Sequence, residues 1–220
     1  MKLAYINPNA TAHMTDGIVA SACEALPEIE IFGLTNTDGP AAIQGKADGD
    51  AAVPGLLRLL PEARRRGADA IVIACFDDTG LDEARAKAGC PVLGIGQSSY
   101  VMAQLLGLRF SVITSLAVSI PVIEENVQRQ GFAPFCTSIR ACGLPVLTID
   151  EAAPDTIERI AADIETVRLE EDAGCAILGC AGMAPMKPEL SARTRLHLID
   201  GVAASGHLAK AVVSGLGAAR

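Results

Sequence analysis

Ile71-Val72-Ile73-Ala74-Cys75-Phe76-Asp77-Asp78-Thr79-Gly80 is a short apolar run that stops on a cysteine, two acids and a glycine. Its length and its turn-forming close read as a buried strand, with the thiol standing where an α/β sheet opens. The pattern returns at Ala176-Ile177-Leu178-Gly179-Cys180-Ala181-Gly182-Met183, again with the cysteine at the end of an apolar run and small residues after it. One such thiol stands in each half of the chain.

Ahead of the first run, Leu3 to Ile6 reads as a strand, and the turn Asn7-Pro8-Asn9 can cap a helix from about Thr11 to Ala25. Glu30 to Leu34 is the next strand, and Gly39 to Gly45 a loop. Leu56, Leu57, Leu60 and Ala63 predict a helix within Asp50 to Arg66 that Pro54 and Pro61 delimit or kink. After the central strand Ala70 to Ala74 come a strand from Pro91 to Ile95 and a helix from Ser98 to Leu106. A second round follows: strand Arg109 to Thr114, a helix closing at Gln130 and Gly131, and a strand near Ser138 to Cys142. It continues through an irregular stretch to Leu147, a helix from Asp155 to Glu171, the strand Ala176 to Gly179, a strand from Leu196 to Ile199 and a helix after Gly201.

Cys75 and Cys180 stand 105 positions apart, and Lys2 and Arg109, which open the two rounds, 107 apart. A near-constant spacing of this kind marks an internal duplication. The expected fold is α/β, with two similar flavodoxin-like lobes, each a small parallel sheet flanked by helices and wound by right-handed crossovers. Residues 1–97 form the lobe of Cys75 and 98–205 the lobe of Cys180, with a C-terminal helix, 206–220, packing back on the first. Such sheets bind ligands beyond the carboxyl ends of their strands. Two lobes facing each other would therefore bring both thiols to opposite walls of one cleft.

At 220 residues, half of them hydrophobic, the chain can bury a proper core. Its mean hydropathy is +0.34, yet no apolar run approaches the roughly eighteen residues that cross a bilayer. The apolar start is stopped at once by Asn7-Pro8-Asn9, so it lacks the core of a secretory signal, and the expected location is the cytoplasm. A net charge of -8 and 3% aromatic residues argue against nucleic acid as a partner. Seven cysteines, an odd number, are expected to be free thiols in a reducing compartment. With no C-x-x-C and with His13, His197 and His207 scattered, no metal site is expected.

A lone strand-end cysteine is more often a small core hydrophobe than a reactive group. The pairing of Cys75 with Cys180 points instead to chemistry, whereas Cys23, Cys90, Cys136, Cys142 and Cys175 show no such placement. A thiol at a strand-to-helix junction lies near peptide N–H groups and a helix N-terminus, which favour the thiolate over a free pKa of about 8.5. Two facing acid/base groups are what removing and returning a proton on opposite faces of a carbon requires. The turns Phe76-Asp77 and Ala181-Gly182 offer backbone N–H donors for the planar intermediate. Nothing in such a scheme calls for a redox or phosphate cofactor. The plainer reading of Gly179 to Gly182 is a tight turn that needs small residues.

Ile6-Asn7-Pro8-Asn9 with Met14-Thr15, Gly39-Pro40 with Ile43 and Gly45, Pro54-Gly55-Leu56-Leu57, Ala74 to Asp78, Phe110-Ser111-Val112, Leu178 to Met183 and Ile199 to Ala203 occur in this order. Together they resemble the hydantoin racemase branch of the aspartate/glutamate racemase superfamily, over essentially the whole chain. The resemblance implies a cofactor-independent racemase of 5-substituted hydantoins or of allantoin, a small-molecule enzyme that forms homo-oligomers. It makes Cys75 and Cys180 the catalytic thiols, and it lines the substrate site with Asn9, Ile43, Phe76, Asp77, Thr114, Ala181 and Gly182. Departures such as Ala42, Gln44, Thr79 and the segment Arg193 to His197 bear on substrate preference.

The residues themselves favour a neutral ring over a free amino acid. A dicarboxylate calls for Arg or Lys, which the strand-end motifs lack, and Asp77-Asp78 would repel an anion. Ring N–H donors would suit a carboxylate, although Asp77 or Asp78 can also serve as a helix cap. The alternatives are an amino-acid racemase of the aspartate/glutamate type, a relative acting on maleate or malonate, and a two-lobed small-molecule binding protein whose thiols merely line the cleft.

Overall fold

The computed structural model describes residues 1–217 and contains two four-stranded parallel sheets. The first comprises β1 (Lys2–Asn7), β2 (Glu30–Thr35), β3 (Ala70–Ile73) and β4 (Val92–Gly94) in the order β2-β1-β3-β4. The second comprises β5 (Phe110–Thr114), β6 (Cys136–Ala141), β7 (Cys175–Gly179) and β8 (His197–Asp200) in the order β6-β5-β7-β8. The orders are the same when the second set is renumbered, so the α/β duplication read from the spacing is present in the topology. Registers repeat as well: β1 pairs Ile6 with Ile73, and β5 pairs Thr114 with Gly179.

Helices α1 (Ala12–Ala25), α2 (Lys46–Arg65), α3 (Leu81–Lys87) and α4 (Ile95–Leu105) accompany the first sheet. The second half adds α5 (Ile120–Arg129), α6 (Val146–Asp150), α7 (Pro154–Glu170), α8 (Lys187–Arg193) and α9 (Gly201–Leu216). Strand alternation divides the packing of β1. Leu3 and Tyr5 join a large core that continues into the second sheet through Phe110, Val112 and Ile177. Ala4 and Ile6 face a smaller core closed by Leu56 and Leu60 of α2. Helix α9 packs against α1 and α4, and the buried Tyr5 hydroxyl donates to the Val202 carbonyl at 2.8 Å. Residues 218–220 of the expected C-terminal helix lie outside the described residues.

Three local expectations are corrected. Helix α2 begins at Lys46 and carries Pro54 and Pro61 inside it. Each proline forfeits one N–H bond, but burial of Ala52, Leu56, Leu60 and Ala63 keeps the helix together, and Asp48 in its first turn accepts the Gln44 N–H at 3.0 Å. Helix α4 starts at Ile95, directly after β4, instead of at Ser98. The irregular stretch before Leu147 contains the start of α6, whose Val146 and Ile149 are buried. After Cys180 the chain turns as a 3-10 helix, Ala181–Met186, before α8.

Candidate active site

In each sheet the chain winds outward in both directions from the first strand, to β2 and β3 from β1, and to β6 and β7 from β5. The crevices lie at these switch points, at the carboxyl ends of β1/β3 and β5/β7. Cys75 and Asn7-Asn9 close the first pair, and Cys180 and Thr114-Ser115 the second. Both cysteines line a single cavity. Asn9, Ile43, Phe76, Asp77, Thr114 and Ala181 line it as well. Gly182 does not line it, but its N–H lowers the pKa of the Cys180 thiol, as the N–H of Asp77 does that of Cys75. Each thiol is thus eased toward the thiolate by the N–H of the residue two positions on.

The walls also include Met14, Ser115, Ser119 and Val146, which the strand-end pattern did not single out. Ser115 was within reach of the same reading, being the residue after β5. Met14 and Val146 come from helices, and their place in the cavity is a consequence of lobe packing. Asn9 is held by a local network: its N–H donates to Asn7 Oδ1 at 3.1 Å, its Oδ1 accepts the Thr11 N–H at 2.9 Å, and its Nδ2 meets Met14 Sδ at 3.2 Å. Phe76 is pinned edge-on to Tyr100, with ring centroids 5.8 Å apart.

All seven cysteines are free. The expectation that the strand ends favour thiolates is corrected. Burial pushes Cys75 far above the ordinary thiol range, and the Asp77 charge adds to it, against the Thr79 hydroxyl at 3.5 Å and the Asp77 N–H. Burial likewise pushes Cys180 up to about 12, opposed by the Gly182 N–H, with the charge of Asp77 contributing here too. For both thiols desolvation outweighs the N–H donors. Among the described residues, Asp77 is the one carboxyl that bears on both sulfurs and lines the cavity.

Asp77 is itself raised to about 7 by burial and then by the charge of Asp78. Burial raises Asp78 to about 6, opposed by bonds from Gln97, Gln130 and Gly96. Asp78 does not face the cavity; it accepts the N–H groups of Gly96 at 2.9 Å and Gln97 at 2.8 Å in the first turn of α4. Of the two acids, Asp78 is the cap and Asp77 the cavity residue.

The cavity has about 30 Å³ of free volume, room for a water molecule or so. Asp77 and Asp78 both border a neighbouring cavity of about 300 Å³, walled by residues of both halves, among them Lys46, Asp50, Glu125 and Arg129. The two halves meet over the thiols. Val146 donates its N–H to Gln44 Oε1 at 3.0 Å, His13 pairs with Asp150 at 3.1 Å, and Asn126 Nδ2 donates to the Asp77 carbonyl at 2.8 Å.

Comparison with known proteins gives a consistent result. A family model described as Asp/Glu/Hydantoin racemase matches residues 3–209. The chain is 41% identical to a hydantoin racemase of Rhizobium meliloti over 97% of its own length and 89% of the relative's. Against a hydantoin racemase of a Pseudomonas species the identity is 34%, over 97% and 86%. Among solved structures, allantoin racemase from Klebsiella pneumoniae superposes with a TM-score of 0.92 at 31% identity, covering 97% of this chain and 88% of that one.

Proposed function

Since the chain belongs to the Asp/Glu/Hydantoin racemase family, we propose that it inverts the configuration at C5 of 5-substituted hydantoins or of allantoin, moving a proton between two thiols without a cofactor. The observation that carries this reading is the single cavity bordered by Cys75 from the first sheet and Cys180 from the second. In this reading residues 1–97 and 98–205 are the two working halves, the C-terminal helix serves the first, and the enzyme is a cytoplasmic homo-oligomer.

One cysteine, as thiolate, takes the C5 proton: the C–H bond breaks, an S–H bond forms, and its electron pair passes into the ring as an enolate. The other cysteine, as thiol, gives its proton to the opposite face and becomes the thiolate. Each turnover therefore leaves the pair with its protonation exchanged, ready for the opposite enantiomer. Asn9, Ile43, Phe76, Asp77, Thr114, Ala181 and Gly182 hold the ring. Asp77 accepts a ring N–H, and this contact draws its negative charge away from the sulfurs, easing formation of the thiolate that burial opposes. Met14, Ile43 and Val146 provide an apolar wall for the C5 substituent.

Among the described residues, no Lys, Arg or His lines the cavity of the two thiols, which leaves an amino-acid carboxylate without a counter-charge there and favours a neutral ring. The test is incubation of the purified protein with single enantiomers of allantoin and of 5-alkyl and 5-aryl hydantoins in deuterium oxide. Loss of optical rotation together with deuterium at C5 is expected for at least one of them. Binding without exchange would make the protein a ligand carrier, and exchange confined to glutamate or aspartate would make it an amino-acid racemase.

A further inference from the structure

The two halves cap corresponding helices in different ways. In the second half, Asp200 precedes α9 and its side chain accepts the N–H groups of Val202 and Ala203, at 2.9 and 3.1 Å. In the first half the matching position, at the end of β4 and before α4, is Gly94. Its backbone is nearly the same as that of Asp200, with φ -103° and ψ 147° against φ -102° and ψ 124°. Gly96 and Gln97 stand to Gly94 as Val202 and Ala203 stand to Asp200, and both donate to a carboxylate, but the carboxylate is that of Asp78. A Cβ on Gly94 would run into Asp78 Oδ1, so the carboxylate from the cysteine loop occupies the space that the cap's own side chain fills in the other half.

Three further features lock the cysteine loop to α4. Asp78 holds φ at +50°, an uncommon conformation for a residue with a side chain, and its N–H donates to the Cys75 carbonyl at 3.0 Å. A Cβ on Gly96 would strike the Phe76 carbonyl, so the loop lies directly on the helix backbone. Asp78 is buried, does not line the thiol cavity and borders only the neighbouring one, so its effect on the thiol passes through the loop it holds. The Cys180 loop has no such tie, because α9 is capped from its own position.

We propose that Asp78 is a positioning residue for the Cys75 thiol: by serving as the cap of α4 from within the cysteine loop, it fixes residues 75–78 so that the Asp77 N–H meets the Cys75 sulfur. The duplicated fold has moved a cap from the helix to the loop, making one thiol more rigidly held than its counterpart. The catalytic consequence rests on the racemase reading, while the mechanical one does not.

The two roles separate by returning the cap to its ordinary place. Asp78→Gly keeps the positive φ but removes the carboxylate. Asp78→Gly combined with Gly94→Asp restores a carboxylate to the helix without restoring the tie. Thermal unfolding, alkylation of Cys75 relative to Cys180 read by peptide mass spectrometry, and deuterium uptake from each hydantoin enantiomer are measured on both variants and on the wild type. The enantiomer served by Cys75 is the one still exchanged by Cys180→Ser. The double variant should regain most of the midpoint lost by Asp78→Gly. Its Cys75:Cys180 alkylation ratio should stay at least about fivefold above wild type, and exchange at the Cys75 face should stay at least about tenfold slowed relative to the Cys180 face. Recovery of stability, alkylation ratio and exchange together would overturn the proposal, as would equal slowing of both enantiomers. Absence of exchange in the wild type would refute the racemase reading, and the alkylation ratio would still decide the role of Asp78.

Discussion

Burial raises both acids of the Asp77–Asp78 pair, and Asp77 the further, because Asp78 has backbone N–H donors for its charge. The consequence for stability has a definite sign. An unfolded Asp77 ionises near its ordinary value of 3.8, the folded one near 7. Between these values the native state holds a proton that the unfolded state has released, so stability falls as pH rises from about 4 to 7. Asp78, raised to about 6, pulls the same way over a narrower window. Asp77→Asn should therefore stabilise the protein at pH 8 by on the order of 1–3 kcal/mol, discounted for the partial exposure of the side chain, and leave it nearly unchanged at pH 4. Paired denaturant titrations at the two pH values check this, and an equal effect at both would contradict it. Glu171 works in the opposite sense: burial opposes its ionisation, but hydrogen bonds from Ser111, Ser138 and Arg140 lower its pKa, so its contribution is lost only as pH falls through the folded value.

Helix α2 shows how far an element is governed by what it packs against. Gly55 lies mid-helix, where alanine usually gains up to about 1 kcal/mol. Here a Cβ would strike the side chain of Asn36, which is buried and donates to the Pro8 carbonyl at 2.8 Å and the Ala52 carbonyl at 3.0 Å. Gly55→Ala is expected to destabilise by about 1–3 kcal/mol in chemical unfolding, and a gain in stability would show that Asn36 can move aside. The sequence foretold the strands well, because buried parallel strands such as β3 and β7 read as plain apolar runs with turn residues after them. Both cysteines were legible for that reason, and the duplication supplied their pairing. Pro54 does not delimit the helix, because local propensity gives way to the burial of Leu56 and Leu60. Helix α6 has only five residues, too few for a period to emerge, so Val146 stayed hidden in the sequence. The thiol shift was misjudged because desolvation depends on the depth of the closed cleft, which no motif records.

At the scale of the whole molecule, the cleft is closed. Its free volume of about 30 Å³ cannot take a five-membered ring, so the proposed reaction requires its walls to move apart to admit one. The Val146 N–H to Gln44 Oε1 bond spans the halves at the rim. One such bond is worth about 0.5–1.5 kcal/mol, so Gln44→Ala should lower kcat/KM by about two- to tenfold with little change in the unfolding midpoint, and unchanged kinetics would mean that this contact does not hold the closed form. In the proposed two-thiol mechanism, closure sets the two sulfurs on opposite sides of one carbon. The most direct test of that arrangement is deuterium uptake at C5 by Cys75→Ser and Cys180→Ser, each given the separate enantiomers of a hydantoin that the wild type racemises. Racemisation should fall at least about 100-fold in both variants, since serine is far too weak an acid, while each variant continues to exchange the enantiomer whose proton faces its remaining thiolate. Opposite enantiomers exchanged without inversion is the result that two facing thiols predict; exchange of the same enantiomer by both variants, or full racemisation by either, would contradict it.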